Sequence, residues 1–150
     1  MARGKARIDD FLSYRLSILA RLINRKSTRY FSEKYNLTLA EWRCLAQVAT
    51  HEAGTIRNIA DRTGSDKGQI SRAAATLCKK KLLKRQSNER DGRSGIYTIT
   101  KKGTDLYRKI LPYRAAENEA VLNILTESEQ IVFMELLNRI YVELKTAEDA

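Results

Sequence analysis

The sequence predicts a mostly α-helical fold with a small β-wing, carried by long helices at either end. Three observations carry this reading. Apolar residues recur at helical spacing over most of the 150-residue chain. Two short helical patterns meet across a glycine turn near the middle. After them comes a stretch with extended character, broken by the charged segment NERDGRSG at residues 88–95.

In chain order, residues 8–35 read as one long helix. Leu12, Leu16, Leu19 and Ile23 step by four, three and four, and Phe11, Ile18 and Leu22 broaden the stripe. A second helix opens at Thr38, where Glu41 completes a capping box. Leu39, Trp42, Leu45, Ala46 and Ala49 form its inner face, and Gly54 suits a left-handed stop. Thr55 caps a short helix with Ile56, Ile59 and Ala60 inward, and Gly64 ends it. Asp66 and Gln69 form a further capping box for a helix that buries Ile70, Ala73, Ala74 and Leu77. The small residues Ala60, Ala73 and Ala74 let these two helices cross closely. That pair is a helix-turn-helix. Leu82–Ser87 and Ile96–Thr100 then read as two strands with NERDGRSG as the loop, a wing beside the candidate recognition helix. A long helix follows Thr100 with Pro112 inside it, where a kink is expected. Thr126 and Glu129 box the start of a last helix, in which Phe133, Leu137, Ile140 and Leu144 repeat. The whole chain reads as a single domain, residues 1–150, with the winged helix-turn-helix at 38–100.

The first and last two helices carry apolar residues on more than one side, which a helix packed on one small domain does not need. The surplus is expected to cover a second copy of the chain, giving dimerisation helices at 8–35 and 104–147.

Charge is unevenly spread. The formal net charge is +10. Residues 1–50 hold ten Lys/Arg against four Asp/Glu, residues 51–110 fifteen against six, and residues 111–150 three against eight. A basic middle points to a polyanion, and with the helix-turn-helix to double-stranded DNA. The first turns of the second helix of the pair present Lys67, Gly68, Gln69, Ser71 and Arg72 opposite its buried side. Arginine and glutamine there read guanine and adenine edges, and lysine and serine serve bases or phosphates. Arg85, Arg90 and Arg93 are placed along the DNA backbone, an arginine on the wing tip suiting the minor groove. Asp91 repels phosphate, so its expected part is to order the wing by pairing with Arg93 or a neighbour such as Arg62.

Other chemistry is not signalled. There is no GxSxG, no glycine-rich phosphate loop and no Cys/His cluster, so no enzyme, metal or cofactor is expected. His51, the one histidine, sits at a helix end without ligand-spaced neighbours. Cys44 and Cys78 lie inside helical patterns and read as small buried hydrophobes in a reducing compartment. No signal peptide or membrane-length apolar run is present, so a cytoplasmic location is expected.

The segments LTLAEWRCLAQV, IADRTGSDKGQISRAAATLCKKKLLKR, the D-x-R of Asp91 and Arg93, then TITKKG, ILP and LTESEQ resemble, in order and spacing, the MarR family of winged-helix transcription regulators. The resemblance runs over residues 8–145. It implies a homodimer with intertwined terminal helices and two winged domains on a pseudo-palindromic operator. It implies Arg72 as the recognition-helix arginine, Arg93 as the wing arginine and Asp91 as the wing aspartate. It also implies regulation by small, often aromatic or anionic ligands bound where the dimer and DNA-binding parts meet, and a ligand-released repressor is the favoured reading. Tyr14, Arg15, Trp42 and Tyr113 are the candidate ligand groups, with core and interface packing as the alternative for the same residues. The redox-sensing branch of the family carries a reactive cysteine near the chain start. Here the first cysteine is Cys44. A ligand-independent DNA-binding or architectural protein is the alternative for the whole chain.

Overall fold

The computed structural model describes residues 7–88 and 91–149. Six helices and three short strands follow one another as α1 (Leu12–Tyr35), α2 (Leu39–His51), β1 (Ala53–Gly54), α3 (Ile56–Thr63), α4 (Lys67–Lys79), β2 (Leu83–Asn88), β3 (Asp91–Ile99), α5 (Lys101–Leu122) and α6 (Glu127–Asp149). The chain divides into two compact units, Met1–Leu111 and Pro112–Ala150, and the boundary falls inside α5. It falls at Pro112, which has no N–H for the carbonyl of Arg108.

In the first unit the expected caps do their work. Thr38 accepts from the Glu41 N–H at 3.1 Å, and the Glu41 carboxylate accepts from the Thr38 N–H at 3.3 Å. Thr55 and Asn58 make the same reciprocal pair at the start of α3. Asp66 accepts from the Gln69 N–H at 3.0 Å, supplying its half of the expected box. Gly64 stops α3 with φ 60°, a left-handed conformation that only glycine adopts without cost. The core gathers Phe31, Leu37, Trp42, Leu45, Val48, Ile59, Ile70, Leu77, Tyr97 and Ile110 from five helices and the sheet. Trp42 is stacked on Tyr107 with ring centroids 5.7 Å apart, and lies 5.3 Å from Phe31 on its other side.

Four expectations change. The first helix does not start at residue 8. Ile8–Asp10 is a separate 3₁₀ turn, and Phe11 is extended at φ −73°, ψ 130° before α1 begins. Gly54 is not a helix stop. Glu52, the residue after α2, takes the positive φ of 64°, while Gly54 pairs with Tyr97 as part of β1. A Cβ at Gly54 would stand 3.1 Å from Ile59, so glycine lets the strand lie on α3. The sheet accordingly has three strands in the order β1-β3-β2, not two. Finally, most of NERDGRSG is strand rather than loop. β2 runs to Asn88 and β3 starts at Asp91, with a register irregularity between Ser87 and Asn88.

Gly95 and Gly103 mark close approaches. A Cβ on Gly95 would collide with the Arg85 guanidinium, which lies across it from the neighbouring strand. A Cβ on Gly103 would collide with the Leu82 carbonyl, so the start of α5 packs directly on the chain leaving α4. Thr100 caps that start, accepting from the Gly103 N–H at 3.0 Å and donating to the Lys81 carbonyl at 2.8 Å.

In the second unit, Thr126 and Glu129 form the expected box, with the Thr126 N–H donating to the Glu129 carboxylate at 2.8 Å. These hydrogen bonds hold the Glu129 carboxyl below the usual range. None of the described residues of α6 is buried within the chain.

Candidate nucleic-acid interface

α3 and α4 meet across Gly64, Ser65 and Asp66. α4 sets Ile70, Ala73, Ala74 and Leu77 into the core, which fixes its opposite side outward. Lys67, Gln69, Ser71 and Arg72 are exposed there, and Gly68 is half-buried. The helix is held at both ends. Asp66 caps its start. At its other end Lys80 reaches Glu41 at 2.8 Å, in an ion pair largely shielded from water, and also donates to the carbonyl of Asn36. One lysine thus ties α4 to the start of α2 and the end of α1. Glu41 was legible in the sequence as a cap; its second task of anchoring α4 came only from a partner 39 positions away.

Gly68 is more than a neutral position on this face. A Cβ would stand 2.9 Å from Asp66 Oδ1 and 3.4 Å from Arg72 Nη1. Glycine leaves room for the capping carboxylate and for the Arg72 side chain, which lies back along the helix one turn above it. Gln69 and Arg72 also line an open groove of about 440 Å³ against Thr38, Leu39 and Glu41 at the start of α2.

Arg85 is exposed on β2, next to α4 in sequence and seated across Gly95. Arg90 lies outside the described residues. Asp91 and Arg93 contribute backbone to β3, but their side chains lie outside the described residues.

The candidate effector residues are not all brought together. Trp42 is buried between Phe31 and Tyr107, 6% exposed. Tyr14 and Arg15 are on the open side of α1, and Tyr14 is seventeen positions before Phe31 on the same helix. At ~1.5 Å per residue that puts them about 25 Å apart along the axis. The helix is continuous from Leu12 to Tyr35, so within one chain they stand apart from Trp42. Arg15 instead donates to the Asp9 carbonyl at 2.8 Å and pairs with Asp10 at 3.4 Å. Tyr113 belongs to the second unit.

The cysteines are poor nucleophiles. Burial pushes the Cys44 thiol up to about 12, and burial also raises Cys78 against the opposing pull of Arg85. At neutral pH both are thiols, and the thiolate is the reactive form. No group of three His, Cys, Asp or Glu side chains poised to hold a metal occurs among the described residues. No described helix is long and apolar enough to cross a membrane.

A core-anchored helix-turn-helix with a polar, cationic outer face and an adjoining β-wing defines a winged-helix DNA-binding protein. A MarR family model matches residues 35–94. The chain is 32% identical over 104 residues to the uncharacterized HTH-type transcriptional regulator YxaD of Bacillus subtilis (strain 168), covering 69% of this chain and 73% of that one. Among solved structures it is similar to the MepR–DNA complex of S. aureus, with TM-score 0.78, 18% identity and 89% and 98% of the two chains covered. It is also similar to the PcaV transcriptional regulator of Streptomyces coelicolor in complex with its natural ligand, with TM-score 0.73, 20% identity and 92% and 96% covered. The chain belongs to the MarR family: it is a DNA-binding transcription regulator, not an enzyme.

Proposed function

We propose that this chain forms a homodimeric, sequence-specific repressor in the cytoplasm, released from a pseudo-palindromic operator on double-stranded DNA by a small aromatic or anionic effector. One observation carries the dimer. α1 leaves Leu12, Leu16, Leu19 and Leu22 exposed, and α6 leaves Phe133, Met134, Leu136, Ile140 and Leu144 exposed. So much apolar surface on two helices is unfavourable in water unless a partner covers it. With one helix-turn-helix per chain, a symmetric pair presents two recognition helices to two half-sites about one helical turn apart. Residues 8–35 and 104–147 are then the dimerisation helices, and 38–100 the DNA-binding part.

Lys67, Gly68, Gln69, Ser71 and Arg72 enter the major groove in this reading. Arg85, Arg90 and Arg93 follow the backbone and the adjacent minor groove, and Asp91 orders the wing. The effector reading is supported by the ligand complex of PcaV. Arg15 and Tyr14 of the first unit are its proposed contacts, and an anion would compete with Asp10 for the Arg15 guanidinium. The core packing of Trp42 argues against a direct contact from that ring.

The test is to select bound sites from random duplex DNA and repeat the selection with a panel of aromatic carboxylic acids and phenols. The expected product is an inverted repeat whose recovery falls with at least one of the acids. Sites without two-fold symmetry contradict the dimer. Recovery indifferent to the whole panel favours the ligand-independent alternative.

A further inference from the structure

Beside the recognition helix, α1 and α2 enclose an open groove of about 770 Å³ whose lining includes Arg21, Arg25 and Thr28 of α1 and Leu39 and Arg43 of α2. Arg21 and Arg25 stand one turn apart, about 6 Å along the helix. All three arginines are exposed. None of them pairs with a carboxylate among the described residues, whereas Arg29, one turn further on, is held by Glu33 at 2.8 Å. Three uncompensated guanidiniums around one groove repel one another, a cost that a bound polyanion removes.

Where the groove leads decides what the polyanion is. Leu39 lines this groove and also the neighbouring one formed by Gln69 and Arg72 of α4. The groove that holds Gln69 and Arg72 therefore adjoins, at Leu39, the groove that holds the three arginines. Neighbouring phosphates of a DNA strand are about 3.4 Å apart along the duplex axis and further apart along the winding backbone, so two arginines ~6 Å apart can answer neighbouring phosphates of one strand. The groove is open along its outer side, so a free small anion there would keep much of its hydration, while a DNA strand adds the gain of released counterions.

We propose that Arg21, Arg25 and Arg43 form a phosphate track that grips the DNA strand flanking the bases faced by α4. The track rests on the reading of α4 as the recognition helix. It adds affinity and salt dependence but no sequence preference, because phosphates are the same at every step.

The test uses the full-length protein with Arg21→Gln, Arg25→Gln and Arg43→Gln, singly and together, with thermal melts and sedimentation as controls for folding and assembly. Binding to an operator duplex and to a scrambled duplex is measured across a salt series. The triple variant should weaken by the same factor on both duplexes. Its slope of log affinity against log salt should fall by about 2–3, and that of each single variant by about 0.9. Lysine at all three positions should restore the slope, since charge rather than fork geometry is used. Arg72→Ala should instead lose base preference and keep most of the slope, so failure of the α4 reading and failure of the track are separable. Unchanged slopes in folded single and triple variants would overturn the track. So would the pattern of a free-anion site, in which slopes stay intact while inorganic pyrophosphate at constant ionic strength releases the native protein from DNA and not the triple variant.

Discussion

Leu16→Asp combined with Leu19→Asp is expected to leave a folded monomer and to lower operator affinity by about 10²–10⁴-fold. Leu16 is 36% and Leu19 43% exposed, and neither belongs to the chain's own core. Their replacement therefore removes little from the packing around Trp42 and Leu45. In a dimer seam each carboxylate would be taken from water without a partner, a cost of several kcal/mol for each ion. A monomer engages one half-site at a time and loses the effective concentration that the second recognition helix supplies. Sedimentation equilibrium and binding isotherms on one operator duplex measure both effects. A variant that stays dimeric, or a monomer that holds the operator as tightly as the native protein, contradicts the proposed assembly.

Trp42→Ala is expected to destabilise the fold by about 3–5 kcal/mol. The ring is 6% exposed, stacked on Tyr107 at 5.7 Å and 5.3 Å from Phe31, so truncation leaves a cavity where α1, α2 and α5 pack together. Small proteins hold only ~5–15 kcal/mol in total, so the loss takes a large share of the stability. Chemical denaturation should show a midpoint far below that of the native protein. A variant with near-native stability that has lost only its effector response would make Trp42 a ligand wall instead of a core residue.

What was legible in the sequence was local. The Thr38–Glu41 and Thr126–Glu129 boxes, the Thr55 cap and the Gly64 stop are set by side chains within three or four residues of the groups they satisfy. The outward placement of Lys67, Ser71 and Arg72 followed from the inward period of Ile70, Ala73, Ala74 and Leu77. What was not legible depends on distant partners. β1 is two residues long, too short for an alternating pattern, and is a strand only because Tyr97 and Thr98 pair with it. Asp91–Gly95 looks like a loop by composition, yet pairing with β2 draws it into β3. Gly95 reads as a turn former, but it makes room for Arg85 on the adjacent strand. The Arg21, Arg25 and Arg43 groove combines two helices whose charges carry no motif in either. The effector set of Tyr14, Arg15, Trp42 and Tyr113 follows residue type alone, and the length of α1 sets Tyr14 about 25 Å along the axis from Phe31, the neighbour of Trp42.

If α4 reads bases through its exposed face, removing one arginine from that face changes base preference at a defined position. Bound sites are selected from random duplex DNA with the native protein and with Arg72→Ala, and the base preferences are compared position by position. An arginine bidentate to guanine discriminates by about 1–3 kcal/mol. Preference should collapse at one symmetry-related position in each half-site, the remaining positions should keep theirs, and affinity for non-specific DNA should change little. Identical base preferences from the two proteins would contradict base reading by α4.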